Sequence, residues 1–116
     1  MEPIAAPTQP FTTAISNAVV HRTAEYTGRG PTHARTTVDG DTIVCIVRNA
    51  LTKAERALIA KGKLNDVLRT RRAVQNAMRV DLVADVEALT GRAVVAFLSD
   101  QETDPDVGCA VFVLEP

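Results

Sequence analysis

Glu25-Tyr26-Thr27-Gly28-Arg29 and Glu87-Ala88-Leu89-Thr90-Gly91-Arg92 are the two stretches on which the reading of this chain turns. Each follows a run with helical spacing and precedes a run with strand character. Glycine takes the left-handed conformation that ends a helix at little steric cost, so each Thr-Gly marks a stop and each arginine starts the exit. Two such steps divide the chain into halves of one grammar, helix then hairpin.

Around the first step, a helix is expected from about Thr13 to Tyr26, with Thr12 or Thr13 as its cap. Ile15, Val19, Arg22 and Tyr26 fall on one stripe of it, with Ala18 alongside. Pro3, Pro7 and Pro10 punctuate residues 1–12, which read as a flexible tail ahead of a single domain over 13–116. Beyond Gly30-Pro31, strands over Ala34 to Val38 and Thr42 to Arg48 flank Asp39-Gly40, a pair suited to a type I′ turn.

Around the second step, Thr52-Lys53-Ala54-Glu55 has the spacing of a capping box. The short helix it opens stops at Gly62. A longer helix follows from about Asn65 to Leu89, with Val74, Met78, Leu82, Val86 and Leu89 as its apolar stripe. After Gly91, strands over Ala93 to Ser99 and Cys109 to Leu114 enclose an acidic loop, Asp100 to Gly108. The order α-β-β-α-α-β-β predicts an α+β fold, a four-stranded antiparallel sheet of two hairpins packed against helices.

Three of the strands read as apolar on both faces: Ile43 to Val47, Val94 to Leu98 and Ala110 to Leu114. A sheet with one wet face should alternate. Helices on one face would leave the other to be covered by a second copy, so a homo-oligomer, most simply a dimer, is expected. Helices straddling the sheet would remove that need.

The 116 residues are 46% hydrophobic and carry a net charge of −1, which gives no global attraction to nucleic acid or an anionic membrane. No apolar run reaches the roughly 20 residues that span a bilayer, and the N-terminus lacks the pattern of a signal peptide. Cys45 and Cys109 sit in apolar runs and read as buried free thiols, which implies a cytoplasmic location. Charge is distributed unevenly. Lys53 to Arg79 holds eight Lys or Arg against Glu55 and Asp66, whereas residues 80–116 hold Arg92 alone against eight acids.

Three clusters are candidates for chemistry. Gly28, Arg29, Gly30, Thr32, His33 and Arg35 form a Gly-rich, basic loop suited to a small anion. It follows a helix C-terminus, where the dipole disfavours anions, and lacks the strand-to-helix order of a P-loop, so a plain helix stop competes with that reading. Arg69, Arg71, Arg72 and Arg79 crowd one helix and suit an acidic protein partner or RNA; without interleaved aromatics, nucleic acid is the weaker fit. Asp100, Glu102, Asp104 and Asp106 alternate, but Pro105 and Val111 stand where a calcium loop needs Gly and Glu. His21 and His33 have no zinc-ligand spacing with the cysteines. No nucleophile elbow surrounds Ser16 or Ser99. No catalytic residue, metal or cofactor is therefore assigned, and a non-enzymatic role is expected.

Gly28-Arg29-Gly30-Pro31-Thr32, Ala34-Arg35, Leu51-Thr52 with Glu55, Val86-Glu87, Leu89-Thr90-Gly91-Arg92, Phe97-Leu98-Ser99-Asp100, Asp104-Pro105-Asp106 and Phe112-Val113-Leu114-Glu115 together resemble the MpsC-type domain family, over about residues 13–116. The resemblance implies a small soluble component of a Na⁺-translocating, membrane-potential-generating system, acting beside integral membrane proteins linked to inorganic carbon uptake. It implies no settled activity and no catalytic residue. The chain departs from the family pattern at His33, where a lysine or other polar residue is common, and in its Pro-rich tail. The expectation is an accessory module that docks on a protein partner, with a small-anion or metabolite sensor and an RNA-binding domain as the alternatives.

Overall fold

The structure, a computed structural model, describes residues 8–116, with side chains from residue 11 onward. Seven elements follow in order: α1 (Thr8–Thr27), β1 (His33–Asp39), β2 (Thr42–Arg48), α2 (Lys53–Ala60), α3 (Leu64–Thr90), β3 (Val94–Thr103) and β4 (Asp106–Leu114). The sheet is antiparallel throughout with strand order β1-β2-β4-β3. The expected α+β architecture of two hairpins is what the chain adopts. Residues 1–7 of the expected tail lie outside the described residues.

Helix α1 starts at Thr8, five residues before the expected Thr13. Pro10 does not prevent this, because a proline in the first turn lacks an N–H that would have no intrahelical acceptor anyway. The capping box at α2 forms in full: Thr52 accepts from the Glu55 N–H, and the Glu55 carboxylate accepts from the Thr52 N–H.

Both hairpins turn at positions other than those their sequences suggest. Asp39 pairs with Thr42, so Gly40 and Asp41 are the central residues, one step later than the expected Asp39-Gly40. Only Gly40 has positive φ (59°), which is the type II′ pattern rather than type I′. In the second hairpin Thr103 pairs with Asp106, and the chain turns at Asp104-Pro105 through a cis peptide bond. The expected acidic loop is thus mostly strand, since its alternating acids and polar residues take the period of a strand edge.

Helices α1 and α3 run antiparallel on the same face of the sheet, as the Arg22–Asp85 and Tyr26–Asp81 contacts show. They do not straddle it. Ile15 and Val19 from α1 and Met78, Leu82 and Val86 from α3 meet Ile43, Cys45, Phe97, Ala110, Phe112 and Leu114 in one core. Leu89, expected on that stripe, is instead exposed at 41%; the α3 stripe continues toward the N-terminus through Val74 and the buried Arg71 and Val67. Each fully buried Leu, Ile, Val or Phe contributes about 1.5–3 kcal/mol. The Ser16 and Thr36 hydroxyls bond across α1 and β1 at 2.7 Å, so the two polar groups nearest Cys45 satisfy each other.

None of the described helices lies on the second face of the sheet. Val44, Ile46, Cys109, Val111 and Val113 are half-buried among themselves, and Leu98 (58%) and Val95 (62%) are exposed. Val95 is the extra residue of a β-bulge between the Val94–Leu114 and Ala96–Val113 pairs.

Candidate functional site

The two Thr-Gly-Arg steps form the same structure. Gly28 and Gly91 take φ of 83° and 70°, and their N–H groups donate to Ala24 and Glu87, each four residues back, at 2.8 Å. The Thr27 hydroxyl accepts from the Arg29 N–H and donates to the Arg29 carbonyl; Thr90 does both to Arg92. Each arginine then reaches the first residue after the second strand of its own hairpin. Arg29 Nη1 donates to the Asn49 carbonyl at 2.6 Å, and Arg92 Nη2 to the Glu115 carbonyl.

Each copy adds a contact of its own, and Arg92 Nη2 also donates to Asp41 Oδ1 at 2.6 Å. Arg29 Nη1 also donates to the Leu51 carbonyl at 3.0 Å. Gly30 lies so close to α1 that a Cβ would sit 3.0 Å from the Val20 carbonyl oxygen and 3.0 Å from its Cγ1. Both hydrogens of Arg29 Nη1 therefore tie the loop to the β2–α2 connector instead of facing an open site.

That connector, Asn49 to Thr52, gathers many of the motif residues. Asn49 holds φ of 60°. Its N–H donates to the Asp106 carbonyl, and the Leu51 N–H donates to Asp106 Oδ2. Arg56 bonds Asn49 Oδ1 and Asp106 Oδ2. Arg71, only 5% exposed, donates to the Ala50 carbonyl at 2.6 Å and grips Glu55 with two hydrogen bonds. Burial would raise the Glu55 carboxyl, but the bonds from Arg71 and from the Thr52 N–H outweigh it and hold the group below its ordinary range. Arg29, Leu51, Thr52, Glu55 and Asp106 thus meet in one polar knot that joins both hairpins and two helices.

Arg71 is the correction this makes to the expected partner-binding quartet. Its guanidinium faces inward and is committed to Glu55 and Ala50. Arg69, Arg72 and Arg79 remain on the outer side of α3. At 100° per residue they share the side of α3 turned away from Val67 and Met78, with Arg79 at its sheet-facing flank. Val80 on that side is 74% exposed. Arg69 pairs with Asp66, and the Arg79 guanidinium sits 5.5 Å over the Phe97 ring.

The rest of the Gly-rich cluster divides. Thr32 is held by Asn49 Nδ2 and by the His33 ring, each at 3.1 Å. His33 and Arg35 point to the helix-free face, where Arg48 joins them around an open concavity also lined by Thr37 and Ile46. Sequence reasoning missed Arg48, although its place at the end of β2, opposite His33 across the hairpin, follows from the register. Asp100 and Glu102 lie on the same face at the far edge of the sheet. Among the described residues no group of three or more His, Cys, Asp or Glu is placed to hold a metal ion.

Compared with known families, residues 9–116 match the family described as Na⁺-translocating membrane potential-generating system (MpsC). No curated protein and no solved structure matches the chain.

Proposed function

The chain belongs to the MpsC family, and from that premise we propose that it is a non-enzymatic, cytoplasmic accessory module of a Na⁺-translocating, membrane-potential-generating system. No helix among the described residues is long and apolar enough to cross a membrane, so the reading places the chain beside the membrane-embedded part. The observation that carries it is the outer side of α3, which presents the exposed Arg69, Arg72 and Arg79 together with the exposed Val80. A row of exposed guanidinium groups fits an acidic protein surface. Co-sedimentation with proteoliposomes that carry the membrane subunit tests it. Binding is expected to weaken with salt and to be lost in Arg69→Glu/Arg72→Glu, with the thermal midpoint unchanged because both side chains are exposed. Absence of binding by the parent chain rejects the reading.

A second reading, capture of a small anion, has one observation in its favour: His33, Arg35 and Arg48 converge on an open concavity. Calorimetry with phosphate and with bicarbonate tests it, and heat of binding that survives Arg35→Ala/Arg48→Ala excludes that site. RNA binding by α3 has no comparable support, since no aromatic side chain stands among its outward arginines.

A further inference from the structure

The helix-free face of the sheet is charged at its two edges and apolar between them. The register arranges its side chains in rows. One row reads Arg35, Ile46, Cys109, Asp100 from β1 to β3; the next reads His33, Arg48, Val107, Glu102; on the other side lies Thr37, Val44, Val111, Leu98. Basic groups therefore stand on β1 and β2, acidic groups on β3, in the same two rows. Arg35, Arg48 and Glu102 make no side-chain hydrogen bond or ion pair with any described residue. Asp100 accepts only from the N–H of its neighbour Gln101. Three strand spacings of about 4.8 Å separate Arg35 from Asp100, so roughly 14 Å keeps them apart within one chain.

We infer that this face is closed by a second copy of the chain, related by a two-fold axis parallel to the strands and running between β2 and β4. Such an axis exchanges the two edges and keeps the rows. Arg35 then lies over the second copy's Asp100, His33 over its Glu102, and Arg48 over its Val107, one strand away from that same Glu102. Ile46 meets Cys109, and Val44 meets Val111, in a dry centre. Each contact occurs twice, as an isologous interface requires. A two-fold axis perpendicular to the strands fails the same test. It sets Asp100 against the second copy's Leu98 and Arg35 against its Thr37, leaving both charges unpaired. Charge complementarity thus selects the occupant and its orientation together.

Size sets the strength. Four strands of about seven residues present a face on the order of 450 Å² per copy, so the pair stands at the low end of specific interfaces, below roughly 1,200 Å² in total. The dimer is reversible in the micromolar range and sensitive to single charges. The inference is independent of the docking reading above, because the outer side of α3 lies on the opposite side of the molecule and stays free in the dimer.

Sedimentation velocity across the micromolar range tests this. The parent chain is expected to dimerise. Arg35→Glu and Asp100→Arg are each expected to weaken the dimer by at least about tenfold, since each sets like charges together at two symmetry-related places. Mixed in equal amounts, the two variants should form a heterodimer tighter than either homodimer, because one pair (Glu against Arg) is then restored with reversed sign and the other keeps the original Arg35–Asp100 contact. The double variant Arg35→Glu/Asp100→Arg should recover the parent affinity. Both side chains are exposed, and circular dichroism melts confirm that each variant is folded. A parent chain that stays monomeric, single reversals that leave the dimer unchanged, or a mixture no tighter than its components overturns the inference.

Discussion

Arg71 holds Glu55 by two parallel hydrogen bonds, Nε to Oε2 and Nη2 to Oε1, each 2.8 Å long. The same carboxylate caps α2 through the Thr52 N–H. One ion pair therefore joins the start of α2, the β2–α2 connector and the N-terminal third of α3. Glu55→Gln keeps the capping reach, because glutamine also serves at that position, but removes the charge opposite a buried guanidinium. It is expected to lower stability by about 3 kcal/mol, as is Arg71→Met. The double variant should cost less than the two combined. Urea denaturation of the four proteins measures this.

The same pair sets an acid limit. The Glu55 carboxyl is held below its ordinary value in the folded chain. Its contribution to stability is complete above the unfolded value, near pH 4.3, and is lost as pH falls through the lower folded value. The parent chain should lose this increment on acidification, and Glu55→Gln should lack that part of the slope. Unfolding free energies of both proteins between neutral pH and pH 3 are the check.

The two Thr-Gly-Arg steps are built alike, so equivalent changes should act alike. Gly28→Ala and Gly91→Ala each place a Cβ in open space but at positive φ, a backbone cost of about 1 kcal/mol each. Gly30→Ala has ordinary φ, yet its Cβ meets the Val20 carbonyl at 3.0 Å. It should be the most damaging of the three, because backbone cannot move aside as a side chain can. Thermal melts that rank Gly30→Ala below both others in severity would contradict this packing argument.

The two thiols lie on opposite faces of adjacent strands. Cys45 is fully buried on the helix side; burial pushes its thiol up, opposed only in part by the Thr36 and Ser16 hydroxyls. Cys109 is half-buried on the open face. Thiol labelling of the native chain should show one accessible cysteine, abolished in Cys109→Ser, with Cys45 reacting only on unfolding. The Cys109 rate should fall as protein concentration rises, if a second copy covers that face.

Element type and order were legible in the sequence because they rest on local physics. Helical spacing, the Thr52–Glu55 capping box and glycines after Thr27 and Thr90 act within a few residues; the capping box and both stops appear where they were read, while the α3 stripe leaves out Leu89 and runs on toward Val67. Boundaries were less legible. Asp100 to Thr103 looked like loop because acids dominate it, yet pairing with Asp106 to Cys109 makes it strand, and pairing is a contact between strands.

The candidate site was legible as a set of residues but not as an arrangement. Sequence alone determined that Arg29 and Arg35 are basic groups at a structural turn and that Arg71 is one of four arginines on a helix. It could not tell that Arg29 would be drawn to the Asn49 and Leu51 carbonyls, Arg71 inward to Glu55, and Arg35 to a bare sheet face with Arg48. Those outcomes depend on which unpaired carbonyl or carboxylate another element delivers to each guanidinium. A long flexible side chain settles on an unsatisfied acceptor where another element delivers one, as for Arg29 and Arg71, and stays on the surface where none is delivered, as for Arg35; only the tertiary structure decides which case applies.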